Sequence, residues 1–168
     1  LVIAHCIVKD NKVIKEWLVR DNYSLVTQLG YDPLHVAHTW AQIDRSESFI
    51  EWRNSEIKRI TQSVNGQRAS YNDDPEIFVR SALQNIWNAR MIGDVNLFYS
   101  NDAKYHGVAG RNFAGPNEIA GFYMKLLGTI SELRFSVDYV CSSNLDGGAS
   151  LVAVRWSLCG IHSGPALY

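Results

Sequence analysis

The chain has 168 residues, of which 46% are hydrophobic and 20% charged, a balance typical of a globular protein with one sizeable core. Sixteen basic residues nearly balance seventeen acidic ones, and the absence of a Lys/Arg run argues against a nucleic-acid partner. No stretch approaches the roughly 20 apolar residues of a membrane span. We therefore expect neither nucleic acid nor a membrane as a partner.

Three cysteines, Cys6, Cys141 and Cys159, lie far apart in apolar contexts without metal-ligand spacing. An odd number of separated cysteines is typical of buried free thiols in a reducing compartment. We therefore expect a cytoplasmic protein without a disulfide framework.

The first element is a β-hairpin, because two apolar, β-branched runs, Leu1–Val8 and Val13–Arg20, flank the turn dipeptide Asp10-Asn11. A two-residue loop places His5 opposite Glu16. Trp17 and Asp21 then share a face that His5 does not, and only a β-bulge would bring His5 onto it.

Helical spacing follows the hairpin. We expect a short helix from Asn22 to Gly30, a helical connector from Pro33 to about Gln62, and a loop from Asn65 to Pro75. Aspartates followed by Pro75 then begin a helix that the spacing carries from Glu76 to Met91.

The remaining pattern alternates short helices and strands. The predicted elements are a helix at Asp94–Tyr99, a strand at Lys104–Val108, a helix at Gly115–Gly128, and strands at Leu133–Cys141 and Ser150–His162.

The order of these elements is unusual, because the last hairpin and closing helix of a small domain stand first. With residues 1–30 placed after Tyr168, the chain resembles the SnoaL-like polyketide cyclases of the nuclear-transport-factor-2-like superfamily. The segments that carry the resemblance are IWNARMIGDVNLFYSNDAKYH from Ile86, AGPNEIAGFYMKLL from Ala114, VAVRWSLCGIHSG from Val152 and VIKEWLVRDNYSLVTQLG from Val13.

The resemblance implies an α+β fold, in which a cone-shaped, curved mixed or antiparallel sheet wraps around N-terminal helices, with an extra helical connector. It divides the chain into the end of one unit at 1–30, the connector and loop at 31–75, and the beginning of a unit at 76–168. A tandem protein would explain this order. An incomplete second unit would expose strand edges, so we expect residues 1–20 to dock on the Ser150–His162 strand, in the same chain or by exchange in a homodimer.

Asp21 matches the acidic position at which these cyclases are understood to move protons during ring closure. A carboxylate at the mouth of an apolar cone would have a raised pKa, which suits general acid/base chemistry. The alternative is that Asp21 caps the helix that follows it. Two further carboxylates, Asp102 and Asp138, are expected to be solvated.

Three histidines are candidates for the same site. His106 matches a strand histidine that faces the family's pocket, and a neutral imidazole there can polarise a carbonyl. His162 lies in GIHSG, which resembles a pocket-lining turn, and His5 resembles a histidine on the penultimate strand. Each has a structural alternative, as a backbone-bonded or glycine-flanked residue at a strand end.

Aromatic residues could line an apolar pocket for a flat or carbonyl-containing ligand, although on strands they can equally be core. These residues are Trp17, Tyr105, Phe113, Tyr123 and Trp156. His35 and His38 have helical metal-ligand spacing but no third ligand, so we expect no metal and no cofactor.

Two functions remain open. The first is a cofactor-independent cyclase or isomerase with Asp21 as acid/base and His106 and His162 orienting the substrate. The second is a non-catalytic ligand-binding or assembly module, favoured if Asp21 only caps its helix and side chains fill the pocket.

Overall fold

The computed structural model describes residues 2–43 and 45–165, and it confirms the α+β class, with several sheets of antiparallel strands. The joining of these sheets into one cone stays a prediction. In chain order the elements are β1 (Val2–Lys9), β2 (Lys12–Arg20), α1 (Asn22–Gln28), α2 (Pro33–Ala41), α3 (Glu47–Ser63), α4 (Pro75–Leu83), a π-turn (Gln84–Asn88), a 3₁₀ turn (Ile92–Asp94), α5 (Val95–Phe98), β3 (Lys104–His106), a 3₁₀ turn (Val108–Gly110), β4 (Asn112–Ala114), α6 (Gly115–Thr129), β5 (Ile130–Asn144), a 3₁₀ turn (Asp146–Gly148) and β6 (Ser150–His162).

Two compact units divide the described chain. The first takes residues 2–43, 45 and 106–112, and the second takes residues 46–105 and 113–165. The first unit thus combines β1, β2, α1 and α2 with one later loop.

The predicted hairpin is confirmed as β1 and β2, but its predicted register is wrong beyond the turn. Val8 pairs with Val13 as expected, whereas a β-bulge next to Ile7 shifts the pairing so that His5 lies opposite Trp17 instead of Glu16. Asp10 and Asn11 adopt the positive φ angles of 52° and 58° that a tight turn requires. The bulge therefore puts His5 and Trp17 on one face.

Aspartate caps begin the helices of the first unit. The Asp21 side chain accepts from the backbone of Ser24 at the start of α1, and Asp32 accepts from Leu34 before Pro33 opens α2. The helical connector is interrupted before Ser46, whose side chain caps α3. The single helical stretch from Pro33 to Gln62 is therefore two helices.

An aromatic core holds the second unit together. The Trp87 ring lies 4.7 Å from that of Tyr123 and stacks at 5.5 Å on Phe135, centroid to centroid. Ile119 and Leu133 are fully buried beside them. Burial of such side chains stabilises a fold by about 1.5–3 kcal/mol each, so this cluster is the chief source of stability in the unit.

The π-turn Gln84–Asn88 presents two side-chain amides that pair with backbone in the manner of a strand. Asn85 accepts from the Ala69 N–H at 2.7 Å and donates to the Ala69 C=O at 3.0 Å. Asn88 accepts from the Phe135 N–H at 3.0 Å and donates to its C=O at 2.8 Å. These amides satisfy backbone groups that would otherwise be costly to bury.

A long antiparallel ribbon of β5 and β6 forms the other half of this unit, with bulges near Glu132 and Asp138. The bounds predicted for β6 are confirmed. A Cβ on Gly160 would overlap the Ile130 side chain, so this position requires glycine because two segments of backbone approach closely.

Candidate functional site

Asp21 sits at the junction of β2 and α1 and accepts three hydrogen bonds. Its Oδ1 accepts from the Ser24 N–H at 3.0 Å, and its Oδ2 accepts from the Ser24 hydroxyl at 2.7 Å. Oδ2 also accepts from the Ala109 N–H at 3.0 Å, across a loop of the same unit in which Ala109 has a φ of 59°. The carboxylate therefore organises backbone on two segments.

These donors lower the pKa of Asp21 from its ordinary value of 3.8, the backbone N–H and hydroxyl of Ser24 having the largest effect, followed by the Ala109 N–H. Donors to a carboxylate stabilise its charged form. The expectation of a raised pKa is thus wrong, because hydrogen bonds outweigh desolvation here. A carboxylate of this kind is a weak base.

His106 lies at the end of β3 and is exposed. Its Nδ1 is 2.7 Å from the Oδ1 atom of Asn112, so the tautomer with a proton on Nδ1 is favoured. Within the described residues, no hydrogen bond joins the His106 ring to Asp21. The side chain that holds the imidazole is therefore the Asn112 amide and not the Asp21 carboxylate.

His5 and Trp17 stack across the hairpin with ring centroids 5.3 Å apart, and the Lys15 Nζ lies 4.6 Å from the centre of the Trp17 ring. Both rings are half-buried, whereas the other hairpin residues from Ile3 to Arg20 are exposed. The bulge thus creates a stacked cation–aromatic group on one face of the ribbon.

Three of the predicted pocket residues pack against one another in the second unit. The Tyr105 ring lies 5.8 Å from that of Phe113 and 6.1 Å from that of Tyr123. The Tyr123 hydroxyl is 2.8 Å from that of Tyr99, and burial raises the pKa of Tyr123. These rings occupy the space that an apolar ligand would need at this point of the core.

The last two candidates lie on β6. Trp156 stacks on Phe135 at 5.0 Å with 53% of its surface exposed, so one ring face covers the core and the other is open. His162 pairs with Ile130 at the end of the ribbon and is exposed. Asp21 and His106 belong to the first unit and His162 to the second.

Asp138, which was expected to be solvated, is held in a polar cluster on the ribbon. Its Oδ1 is 2.9 Å from the Arg59 Nη1, and its Oδ2 accepts from the Ser157 hydroxyl at 2.5 Å. The bulge beside Asp138 turns its side chain toward α3, which periodicity alone does not predict. The cluster fastens α3 to the ribbon.

A cavity of about 310 Å³, named here the Arg80 cavity, lies between the end of α3, the loop that follows it, α4 and β5. None of the residues predicted from the sequence lines it. Its lining residues are Ser63, Val64, Ala69, Arg80, Ser81, Gln84, Asn88, Phe135, Ser136 and Val137. Sequence reasoning missed it because Arg80 has the pattern of an ordinary surface residue on an amphipathic helix.

The thiols are free, as expected, but Cys6 and Cys141 are exposed and Cys159 is half-buried, so their predicted burial is wrong. They lie on strands whose outer faces are open. Burial raises the pKa of the Cys159 thiol, which lowers its fraction of reactive thiolate at neutral pH.

In the described part of the chain, no cluster of three or more His, Cys, Asp or Glu side chains could hold a metal ion. No helix among those residues is both long and apolar enough to cross a membrane.

Comparison of the chain with protein-family models, with curated proteins and with solved structures found no match.

Proposed function

We propose that the chain is a non-catalytic assembly module in which the β1–β2 hairpin of one copy adds to the β6 edge of a second copy. The observation that carries this proposal is the exposure of large apolar side chains on the hairpin, between 43% and 61% for each. Those residues are Ile3, Ile7, Val8, Val13, Ile14, Leu18 and Val19. A two-stranded ribbon is marginally stable alone and gains stability from a further strand.

The two edges of the hairpin differ in charge. From Val2 to Val8 the chain has no charged residue, whereas β2 carries Lys12, Lys15, Glu16 and Arg20. Charged side chains, lysine above all, protect natural edge strands from pairing. The edge of β1 is therefore the one suited to strand addition.

The β5–β6 ribbon offers one matching edge. The side chain of Asn88 occupies both backbone groups of Phe135 on the outer edge of β5, and the Arg90 Nη2 donates to the Leu133 C=O at 3.1 Å. β6, from Ser150 to His162, contains a single formally charged residue, Arg155. An incoming strand thus meets fewer obstacles on β6 than on β5.

Charge favours this arrangement over association through β2. Two β2 edges placed antiparallel over their full length would oppose Lys12 to Arg20 of the other copy, which is a repulsive cross-strand pair. Pairing of β1 with β6 avoids that repulsion. A twofold axis repeats the contact, which gives a closed dimer.

The cyclase-type enzyme implied by the SnoaL-like resemblance has less support. Its general acid/base, Asp21, is a helix cap that accepts three hydrogen bonds and has a lowered pKa, and its pocket walls Tyr105, Phe113 and Tyr123 pack on one another. Both observations favour the assembly module. Three free thiols support a reducing compartment such as the cytoplasm for that module.

The test is the mass of the chain and its variants in solution, measured by sedimentation equilibrium. We expect a dimer for the wild type and a monomer for Ile3→Lys/Ile7→Lys, because lysines on β1 block strand addition. Leu151→Lys, on β6, should also give a monomer. The control is Leu97→Lys, which changes an equally exposed leucine on α5 and should leave a dimer.

A monomeric wild type would refute the assembly proposal. A dimer that responds to the β1 substitutions and not to Leu151→Lys would refute β6 as the receptor, while a dimer unaffected by either would remove the hairpin from the interface.

A further inference from the structure

We propose that the Arg80 cavity binds a small organic monocarboxylate, with the carboxylate on Arg80 and the apolar body of the ligand against Val64, Ala69, Phe135 and Val137. None of the lining residues lies on β1, β2 or β6, so the site is independent of the assembly proposed above. Its volume of about 310 Å³ falls at the small end of the range in which proteins hold small molecules.

The charge of the cavity comes from one residue. Arg80 alone is charged among the described residues that line it. Glu76, four residues earlier on α4, is the expected helical partner of Arg80. Its Oε1 instead accepts from the Ser142 hydroxyl at 3.0 Å. Within the described chain Arg80 makes no ion pair or side-chain hydrogen bond, so its guanidinium is available to an external anion.

The other donors in the lining are already used. Both protons of the Gln84 amide go to the Asn65 and Gln67 carbonyls, at 2.8 Å each. The Asn88 amide donates to the Gln84 Oε1 at 2.8 Å and to Phe135, and the Ser81 hydroxyl donates to the Ser70 C=O at 2.8 Å. A phosphate or a polyol needs several donors and would find them occupied.

A carboxylate needs fewer donors, and arginine can supply two of them in parallel. The guanidinium has the planar fork that matches a carboxylate, and such charge-assisted pairs are stronger than neutral hydrogen bonds. Arg80 is available, whereas the side-chain donors of Ser81, Gln84 and Asn88 already have acceptors. The cavity therefore favours a ligand with a single anionic group.

Apolar side chains form another part of the lining. Phe135 is buried and belongs to the aromatic core, and Val64, Ala69 and Val137 are half-buried. The amides of Asn85 and Asn88 fix the backbone of Ala69 and Phe135, so this wall is pre-formed. A pre-formed wall lowers the entropic cost of binding. The ligand class that fits is an acid with a compact apolar or aromatic body.

The experiment compares phenylacetate with its neutral analogue phenylacetamide in titrations of the ¹⁵N-labelled chain followed by NMR. We expect phenylacetate to shift the backbone amides of Ser81, Gln84 and Ser136 in a saturable manner. Phenylacetamide should bind at least about tenfold more weakly, because it lacks the charge-assisted pair.

Arg80→Gln should weaken phenylacetate at least about tenfold and leave phenylacetamide unchanged, since the substitution removes the charge and keeps an exposed polar side chain. Arg53→Gln is the matched control, an exposed arginine on α3 that lies outside the cavity, and it should bind phenylacetate as the wild type does. Equal affinity for acid and amide, an unchanged affinity in Arg80→Gln, or no shift at these three amides would each overturn the proposal.

Discussion

The molecule contains two long antiparallel ribbons that are alike in sequence and opposite in environment. Both β1–β2 and β5–β6 are rich in β-branched and aromatic residues, and both contain β-bulges. In the second ribbon Leu133, Phe135 and Val140 are at most 5% exposed, whereas the large aliphatic residues of the first, from Ile3 to Val19, are open to solvent. Apolar content makes a strand, but a covering layer is needed to make it core.

The largest expected difference between the ribbons is the cost of truncating an apolar side chain. Phe135→Ala removes a ring stacked on Trp87 and Trp156 and should lower the free energy of unfolding by about 3–5 kcal/mol. Ile14→Ala, on the exposed hairpin, should change it by no more than about 0.5 kcal/mol. Urea unfolding followed by circular dichroism measures both.

The Ile14→Ala measurement belongs in the Ile3→Lys/Ile7→Lys background, in which association is expected to be abolished. A cost for Ile14→Ala close to that of Phe135→Ala in this background would contradict the exposed state of the hairpin.

A smaller effect is expected at the glycines of the second unit. Gly160→Ala forces a Cβ against Ile130 and should destabilise the ribbon by about 1–3 kcal/mol. Gly121→Ala is the control, because nothing lies within 4 Å of a Cβ there and α6 should gain about 0.5–1 kcal/mol. Thermal unfolding of the two variants should therefore shift in opposite directions, and a shared direction would argue against the close approach at Gly160.

The smallest effect concerns pH and the first unit. Because the folded pKa of Asp21 is lowered, its contribution to stability is complete above the ordinary value of 3.8 and is lost as pH falls through the folded pKa. A ¹³C NMR titration of the Asp21 carboxyl should have its midpoint below 3.8. Ser24→Ala removes the hydroxyl donor and should move this midpoint upward. A wild-type midpoint above 3.8 would instead support Asp21 as a general acid/base.

Local patterns predicted the elements well. Alternation and turn residues located the hairpin and β6, and Pro75 located the start of α4. The positions of the bulges could not be predicted, because one extra residue such as Ile14 does not change the hydrophobic pattern of the strand. That residue nevertheless changes the cross-strand partner of His5 from Glu16 to Trp17. The break at Ser46 was likewise hidden among helix-compatible residues.

The sites were harder to predict than the elements. A carboxylate at a strand-to-helix junction serves equally as a cap or as a base. At Asp21 the Ser24 N–H and hydroxyl have the largest effect, and the Ala109 N–H, 88 residues away, is a third donor. The free guanidinium in the Arg80 cavity depends on the contact between Glu76 and Ser142. The Glu76–Ser142 and Asp21–Ala109 contacts have no sequence signature, because tertiary packing sets both.

The end of the second ribbon has a further consequence for how the chain tolerates breakage. The Thr129 carbonyl accepts from the N–H groups of Ser163 and Gly164 at 3.0 Å each, and the Thr129 hydroxyl donates to the Pro165 C=O. The ribbon is thus closed at its base as well as at its tip. Proteolytic nicking within the exposed turn at 145–149 would leave two fragments held by the strand pairs and by this clasp, so that the cleaved protein migrates as one species until it is denatured.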